Sequence, residues 1–537
     1  MVNRANMNKL IFNIPRKQSV KGIETLLKEN VNLSKQITSN VRRTYLDTFD
    51  RRVFNKGRVL EATTDRDRIW ISWRSLEVGQ IFDKYQVDQL PRFAWDIKTK
   101  GLRTRLKKIL DVRALLPIVT VESEVHSFNV LDGQAKTTLR IEIQSDHIPY
   151  QPRGRRQQDK RYQALEKRIH LFPLKGYKKM LNQVRKVLKQ ECHLVPPKSD
   201  PFVTTLNIVG HMPVDVTQEL EVIQPEQRAD IAVKSIFMRL LDEMEQNENG
   251  MHHDIDSEFL HDFRVAVRRT RSLLDQMKSV LPEPRISRFS RDFAWLGKVT
   301  GPTRDMDVYL LTFDAYQRRL PLELREDLVP LYEFLLRHKR MEHTRMIKAL
   351  DTVRYKRLKK DWKKFLAAKL PVHTTLVHAN SPIGVVASQR IWRIYRKVIK
   401  QGRAIESDSP ATMLHELRKT CKKLRYMNEF FQDIYPRSKI RQLITNLKML
   451  QDNLGEFQDL EVQQISLRNF IQSMEQETGI TDETRHAMNM LVTRLEDRDK
   501  QVRKEFSARF KKFTSPTNQK LYKQIFTARK QFSVGGK

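Results

Sequence analysis

The chain has 537 residues, long enough for more than one hydrophobic core, and 39% of them are hydrophobic, which excludes wholesale disorder. Its 100 Lys and Arg against 64 Asp and Glu give a net charge of +36, which argues for a polyanionic partner: nucleic acid, anionic lipid or a phosphate polymer. Two cysteines, Cys192 and Cys421, exclude a disulfide framework and Cys-based zinc clusters, and fit a reducing compartment.

No basic-then-apolar leader opens the chain, and no run of about 18 apolar residues occurs in it. A cytoplasmic protein with no membrane insertion is expected. In chain order, residues 40–145 read mostly as strands. Arg68 to Arg74 alternates, with Ile69, Ile71 and Trp73 on one side, and Thr138 to Gln144 does the same with Leu139, Ile141 and Ile143. Val119, Val121 and Val125 oppose Glu122 and Glu124, and Asp132-Gly133 signals a hairpin before the next strand. Residues 160–190 return to helical spacing, and Val195 to Pro201 reads as a linker or sharp turn.

From residue 226 onward helical spacing dominates. Candidate helices are 226–246, 257–280, 285–300, 303–318, 323–349, 354–368, 383–403, 409–432, 437–454, 457–475 and 481–512. The tail after Pro516 is basic and expected to be poorly ordered. The expected organisation is α+β: an antiparallel β domain over 1–205 with helices at its C-terminal end, a linker over 206–225, a large all-α domain over 226–512, and a basic tail over 513–537.

The helical region contains the same pattern twice. His261, Arg264, Arg268, Arg269 and Arg271 are matched in order and spacing by His415, Arg418, Lys422, Lys423 and Arg425. Leu281-Pro282 and Tyr435-Pro436 follow at the same distance, then Leu296-Gly297 with Asp305 and Asp307, and Leu454-Gly455 with Asp459 and Glu461. At about 100° per residue, His261, Arg264, Arg268 and Arg271 share one helix face. Leu260, Phe263, Val267 and Leu274 take the other, and the second copy sets its cations against Leu414, Leu417 and Cys421. Each helix is thus a core element on one side and a cationic rod on the other. Like charges at helical spacing repel, so two such rods in register point to an anion that neutralises them.

These residues resemble the CHAD domain, the conserved histidine α-helical domain. Gly297-Lys298, Thr303-Arg304-Asp305-Met306-Asp307-Val308 and Leu447-Lys448 through Gly455 fit the same pattern, and the resemblance covers roughly 226–510. It implies two helical bundles related by pseudo-twofold symmetry, and binding of inorganic polyphosphate or related phosphate polymers without catalysis. The matching residues are His261, Arg264, Arg268, Arg269, Arg271, Lys298, Arg304, His415, Arg418, Lys419, Lys422, Lys423, Arg425 and Lys448. It also suggests association with polyphosphate granules.

More weakly, the N-terminal region resembles the CYTH or triphosphate-tunnel family through Arg43-Thr44-Tyr45-Leu46-Asp47-Thr48-Phe49-Asp50, Leu131-Asp132-Gly133-Gln134 and Leu139-Arg140-Ile141-Glu142. That family opens on an alternating Glu-x-Glu-x-Lys strand. Here the opening strand is Leu10 to Pro15, and Leu60-Glu61-Ala62-Thr63 stands where Leu-Arg-x-Arg is expected. A tunnel hydrolase needs inward carboxylates for a divalent ion and cations for the triphosphate. The expectation is a degenerate tunnel that leans away from catalysis, with no metal and no cofactor.

His415-Glu416-Leu417-Arg418-Lys419 begins like a His-Glu-x-x-His zinc helix, but Lys419 replaces the second ligand. Gly297 to Gly301 lacks P-loop spacing. Asp305, Asp307, Asp459 and Glu461 are expected to cap or brace the basic helices. Among polyanions, single-stranded nucleic acid calls for aromatics that stack bases. The cationic faces carry His, Arg and Lys without an aromatic, which leans toward polyphosphate. The alternatives are a nucleic-acid backbone binder, and a metal-dependent inorganic triphosphatase with a CHAD accessory domain. Basic stretches at Lys98–Lys108, Arg153–Arg161 and Lys356–Lys364 could extend the footprint or be solvated surface.

Overall fold

The structure, a computed structural model, describes residues 10–15, 17–34, 36–66, 68–77, 81–150, 161–174, 176–210, 222–371, 374–477 and 479–527. Most of the Arg153–Arg161 stretch, the middle of the expected linker and the last ten residues lie outside the described residues. The chain forms two compact units, Met1–Leu220 and Glu221–Lys537.

The first unit is a curled antiparallel half-barrel of β1 (Leu10–Asn13), β2 (Ile37–Asp47), β3 (Arg58–Asp65), β4 (Arg68–Ser75), β5 (Ile81–Val87), β6 (Leu116–Leu131), β7 (Thr137–Tyr150), β8 (Arg161–Ala164) and β9 (Arg168–Pro173). The strand order is β1-β9-β7-β6-β2-β3-β4-β5, with β8 paired to β7. Alternation decides the two faces. Leu139, Ile141 and Ile143 of β7 pack with Phe12, Ile169 and Leu171 beneath α1 (Val20–Asn30) and α4 (Lys178–Gln190). Leu60, Ala62, Ile71 and Trp73 pack with Leu102, Leu106 and Leu110 of α3 (Lys100–Leu110). Between β6 and β7, Asp132 Oδ1 accepts from the backbone of Gln134 and Lys136, both at 2.9 Å, which closes the expected hairpin.

In the Arg43 to Asp50 stretch, Asp47 is 1% exposed and accepts from the backbone of Thr48, Val53 and Phe54, so it caps α2 (Arg52–Asn55). The expected boundary at 205 moves. Helix α5 (Pro201–Val209) packs Phe202 and Leu206 with Tyr45, Val59, Val119 and Val121, so it belongs to the first unit's core. Val195 to Pro201 is therefore a turn within this unit, with Asp200 as the α5 N-cap.

The second unit is all-α: α6 (Ala229–His252), α7 (Ser257–Gln276), α8 (Glu283–Val299), α9 (Gly301–Arg319), α10 (Val329–Leu350) and α11 (Val353–Ala367), then α12 (Ile383–Arg403), α13 (Ala411–Phe430), α14 (Arg437–Glu477), α15 (Asp482–Phe513) and α16 (Pro516–Phe526). The two halves correspond helix by helix, α7 to α13 and α10 to α15. They join where Ala229 donates to the Ser381 carbonyl at 2.9 Å and Ile383 to the Gln227 carbonyl at 2.8 Å. Those two bonds exchange residues with the same sequence offset as His261 and His415, so they mark the pseudo-twofold relation.

Two expectations are corrected. Candidates 437–454 and 457–475 are one helix, α14. In the first half the equivalent path breaks at Thr300, because Pro302 has no N–H to continue the ladder of the preceding helix. The second half has Glu456 at that place and runs on. The expected disordered tail fails for residues 516–526. Helix α16 buries Leu521, Tyr522, Ile525 and Phe526, and Tyr522 stacks on Tyr395 of α12 at 3.8 Å. It is the counterpart of α11, whose Trp362 packs on Phe237 and Phe289. Each large apolar side chain so buried contributes about 1.5–3 kcal/mol, which a basic segment of this length could not otherwise recover.

Candidate functional site

The two basic helices, α7 and α13, lie against each other. Arg268 Nε donates to the Tyr426 hydroxyl at 2.7 Å, Lys423 pairs with Asp275 at 2.7 Å, and Arg269 reaches Glu429 at 3.8 Å while lying over the Phe430 ring. Their apolar faces are buried as the spacing requires: Phe263, Ala266, Val267 and Leu274 in α7, and Leu414, Leu417, Cys421 and Leu424 in α13. Cys421 is wholly buried, and burial pushes its thiol far above the ordinary range.

Beside α13 is a cavity of about 490 Å³. Arg418, Lys422 and Arg425 enter it from α13, Arg319 from the end of α9, and Asp452, Glu456 and Asp459 from α14. Arg418 donates to Gln458 and Asp459, and Arg425 lies 3.2 Å from Glu429 and 3.3 Å from Gln451. Lys422 differs. No carboxylate among the described residues pairs with it. Burial, then Arg418 and Arg268, push its ammonium down to about 8, against the opposing pull of Asp459. Burial also lowers Arg418, with Asp459 opposing and Arg268 adding repulsion.

The first repeat spends its cations differently. Arg264 donates to the Gly297 carbonyl and the Thr300 hydroxyl, both at 2.9 Å, across the break between α8 and α9. Burial lowers its guanidinium, with Asp305 opposing and Arg268, Arg304 and Arg271 adding repulsion. Arg304 donates to the Ser257 carbonyl and lies 3.8 Å from Glu258. Arg271 and Lys298 are exposed, and so is Lys448 on α14. His261 sits partly buried on α7. His415 approaches Glu461 at 2.6 Å, and Lys419 pairs with Glu416 on its own helix.

Of the fourteen residues carried from the resemblance, then, the cavity takes Arg418, Lys422 and Arg425, and Arg268 acts on it through charge. The other ten lie outside its lining. Asp459 and Glu461 brace α13 as expected of them, whereas Asp307 pairs with Lys339 of α10 at 3.0 Å. The glycine of the first repeat that matches Gly455 is Gly301: a Cβ there would sit 3.7 Å from Arg264, and one on Gly455 would sit 3.8 Å from Arg418. Gly297 comes one turn earlier. Arg319 was not among the expected residues. Its signal is the stripe Thr312, Tyr316, Arg319 at helical spacing on α9, all three lining the cavity.

The first unit carries a second polar cluster. Arg43, Glu61, Arg74, Asp146, Arg168 and Asp200 line a small cavity on the face opposite α1, α3 and α4. Arg43 pairs with Asp146 at 3.1 Å, Arg168 with Asp146 at 2.9 Å, and Arg74 with Glu61 at 3.2 Å and with both oxygens of Asp200. Three guanidinium groups thus meet three carboxylates. Burial works against Asp146, but Arg43 and Arg168 outweigh it and hold its carboxyl below the ordinary range. Burial likewise works against Arg74, and Asp200 and Glu61 outweigh it and raise it. Among the described residues no three His, Cys, Asp or Glu side chains are grouped to hold a metal ion, and no helix is long and apolar enough to cross a membrane.

Residues 235–468 match the family described as CHAD domain. The CHAD domain from the plant Ricinus communis is 24% identical over 54% of this chain and 94% of its own length, with a TM-score of 0.46. PptA from Streptomyces chartreusis is 14% identical over 53% of this chain and all of its own, with a TM-score of 0.42. The N-terminal region is similar to HpAC1 from Hippeastrum, whose structure is described as revealing a dominant triphosphatase activity. That match is 10% identical over 38% of this chain and 96% of its own, with a TM-score of 0.27. No curated protein sequence matches the chain.

Proposed function

We propose that this chain, whose residues 235–468 are a CHAD domain, binds linear phosphate polymers, inorganic polyphosphate first among them, without chemistry on them. The observation that carries this reading is Lys422: in a cavity lined by Arg319, Arg418 and Arg425 together with Asp452, Glu456 and Asp459, it forms no ion pair among the described residues, and burial first, then repulsion from Arg418 and Arg268, lowers it to about 8. An anion entering the cavity relieves that repulsion. Tyr316, the aromatic in the lining, is 1% exposed, so no ring is offered for base stacking. A phosphate chain has no base to stack and needs only cations and donors.

The first unit serves as a scaffold in this reading. The three arginines of its polar cavity, Arg43, Arg74 and Arg168, are already paired with Glu61, Asp146 and Asp200, so that cavity offers a triphosphate no unpaired guanidinium. Cytoplasmic protein gathered at polyphosphate granules is the corresponding location, checked by co-localisation with a polyphosphate stain.

The test is a binding titration of polyphosphate over a tenfold range of salt. Phosphate contacts release condensed counter-ions, so affinity should fall steeply. Affinity that hardly changes with salt would remove the reading.

A further inference from the structure

Arg319 faces two hollows. It lines the cavity beside α13, and with Arg494 and Arg498 of α15 it lines a second hollow of about 320 Å³. The two are joined again through Glu456, which lines the first and lies 2.7 Å from Arg498 Nε. Arg498 is thus held in place by Glu456 and, at 3.5 Å, by Glu505. Arg319 and Arg494 are exposed and make no ion pair among the described residues. Helix α15 lies beyond residues 235–468, and neither basic repeat contributes to this hollow.

We propose that the Arg319–Arg494–Arg498 hollow is a second station for the same phosphate chain, which leaves the α13 cavity over Arg319 and continues onto α15. This rests on the polymer-binding reading above and adds a length preference to it. Three guanidinium groups around one hollow match the forked geometry that recognises phosphate oxygens. A chain already held in the first cavity reaches the second at high effective concentration, so a second contact strengthens binding without a second encounter. A chain too short to span both gains nothing.

The experiment uses the full chain and two probes, size-fractionated polyphosphate of a few phosphates and of several tens, with wild type, Arg494→Gln and Arg494→Glu. Arg494 is exposed and unpaired, so its replacement should leave thermal stability unchanged. Wild type is expected to bind the long chain at least tenfold more tightly per chain. Arg494→Gln should weaken long-chain binding several-fold, and Arg494→Glu about tenfold or more, while short-chain affinity stays the same. The salt dependence of long-chain binding should also become shallower in both variants, by one cation's share. Equal losses for both lengths, or no loss for the long chain, would overturn the second station while leaving the first cavity standing. Wild-type protein that binds neither probe would instead overturn the polymer-binding reading on which it rests.

Discussion

Arg268 of the first basic helix donates its Nε to the hydroxyl of Tyr426 on the second, at 2.7 Å. This bond fixes Arg268 beside Lys422 and Arg418, whose charges it perturbs, and so couples one repeat to the cavity of the other.

Removing that bond has a measurable cost. A hydrogen bond to a charged donor is worth about 1.5–3 kcal/mol, less where the donor is exposed as Arg268 is. A double-mutant cycle of Arg268→Ala and Tyr426→Phe, read by urea unfolding, should show a coupling of about 1 kcal/mol. Strict additivity of the two single losses would mean the contact contributes nothing.

The two equivalent arginines should behave differently. Arg418 lines the cavity, so Arg418→Ala should weaken polyphosphate binding about tenfold with helix content intact. Arg264 instead satisfies the Gly297 carbonyl and the Thr300 hydroxyl. Arg264→Ala should therefore lower stability by about 1–3 kcal/mol and weaken binding less than Arg418→Ala does. Calorimetric melting beside a binding isotherm separates the two effects, and equal binding losses would indicate a shared site.

Lys422 makes the pH dependence specific. The charges that act on it are Arg418 and Arg425 of its own helix, Arg268 of α7 and Asp459 of α14, and Arg319 of α9 and Asp452 and Glu456 of α14 line the same cavity. Its folded value is about 8 and the ordinary value is 10.5. The free protein loses this proton as pH rises through 8, and a bound anion restores it, so binding takes up a proton above that point. Affinity should be level below about pH 7 and fall by up to tenfold per pH unit above 8. The unfolded chain holds the proton through the same window, so stability of the free protein should rise with pH there. Lys422→Met should remove both dependences, raise the melting temperature at pH 7 and weaken binding. A pH profile unchanged by Lys422→Met would contradict this assignment.

Much of this was legible in the sequence because it rests on periodicity. The repeat, the buried Phe263 and Leu417 faces, and the strands around Ile71 and Ile141 all follow from spacing of 3.6 or 2. What was not legible depends on contacts distant in sequence. Whether a cation of the repeat faces a cavity or a carbonyl is decided by the α8–α9 break at Thr300, which has no counterpart in α14. Arg319 lies outside both repeats and joins the cavity only because α9 ends there. Helix α16 was hidden by its basic composition, since Leu521, Tyr522, Ile525 and Phe526 acquire a partner only when α12 folds beside them. In the first unit, Glu61 in place of an expected cation was visible, but not that Arg43 and Arg74 would meet it.

That ion-pair network gives a prediction for the first unit. Asp200 is 4% exposed, and losing one partner of a buried pair costs about 3–5 kcal/mol. Asp200→Asn keeps the helix cap and removes the charge, so it should cost on the order of 3 kcal/mol in chemical unfolding. The intact chain should release no phosphate from inorganic triphosphate with magnesium or manganese. Robust turnover that disappears in Glu142→Gln or Arg140→Ala would restore the enzyme reading.

The most direct measurement is a competition between long-chain polyphosphate and single-stranded RNA of matched charge, at near-physiological salt, read by fluorescence anisotropy of one labelled polymer. A cavity in which four cations outnumber three carboxylates and no ring is exposed predicts that polyphosphate displaces RNA at a concentration at least tenfold below that needed for the reverse, and that Lys422→Met narrows the gap. RNA that displaces polyphosphate as readily, or more so, would contradict the account.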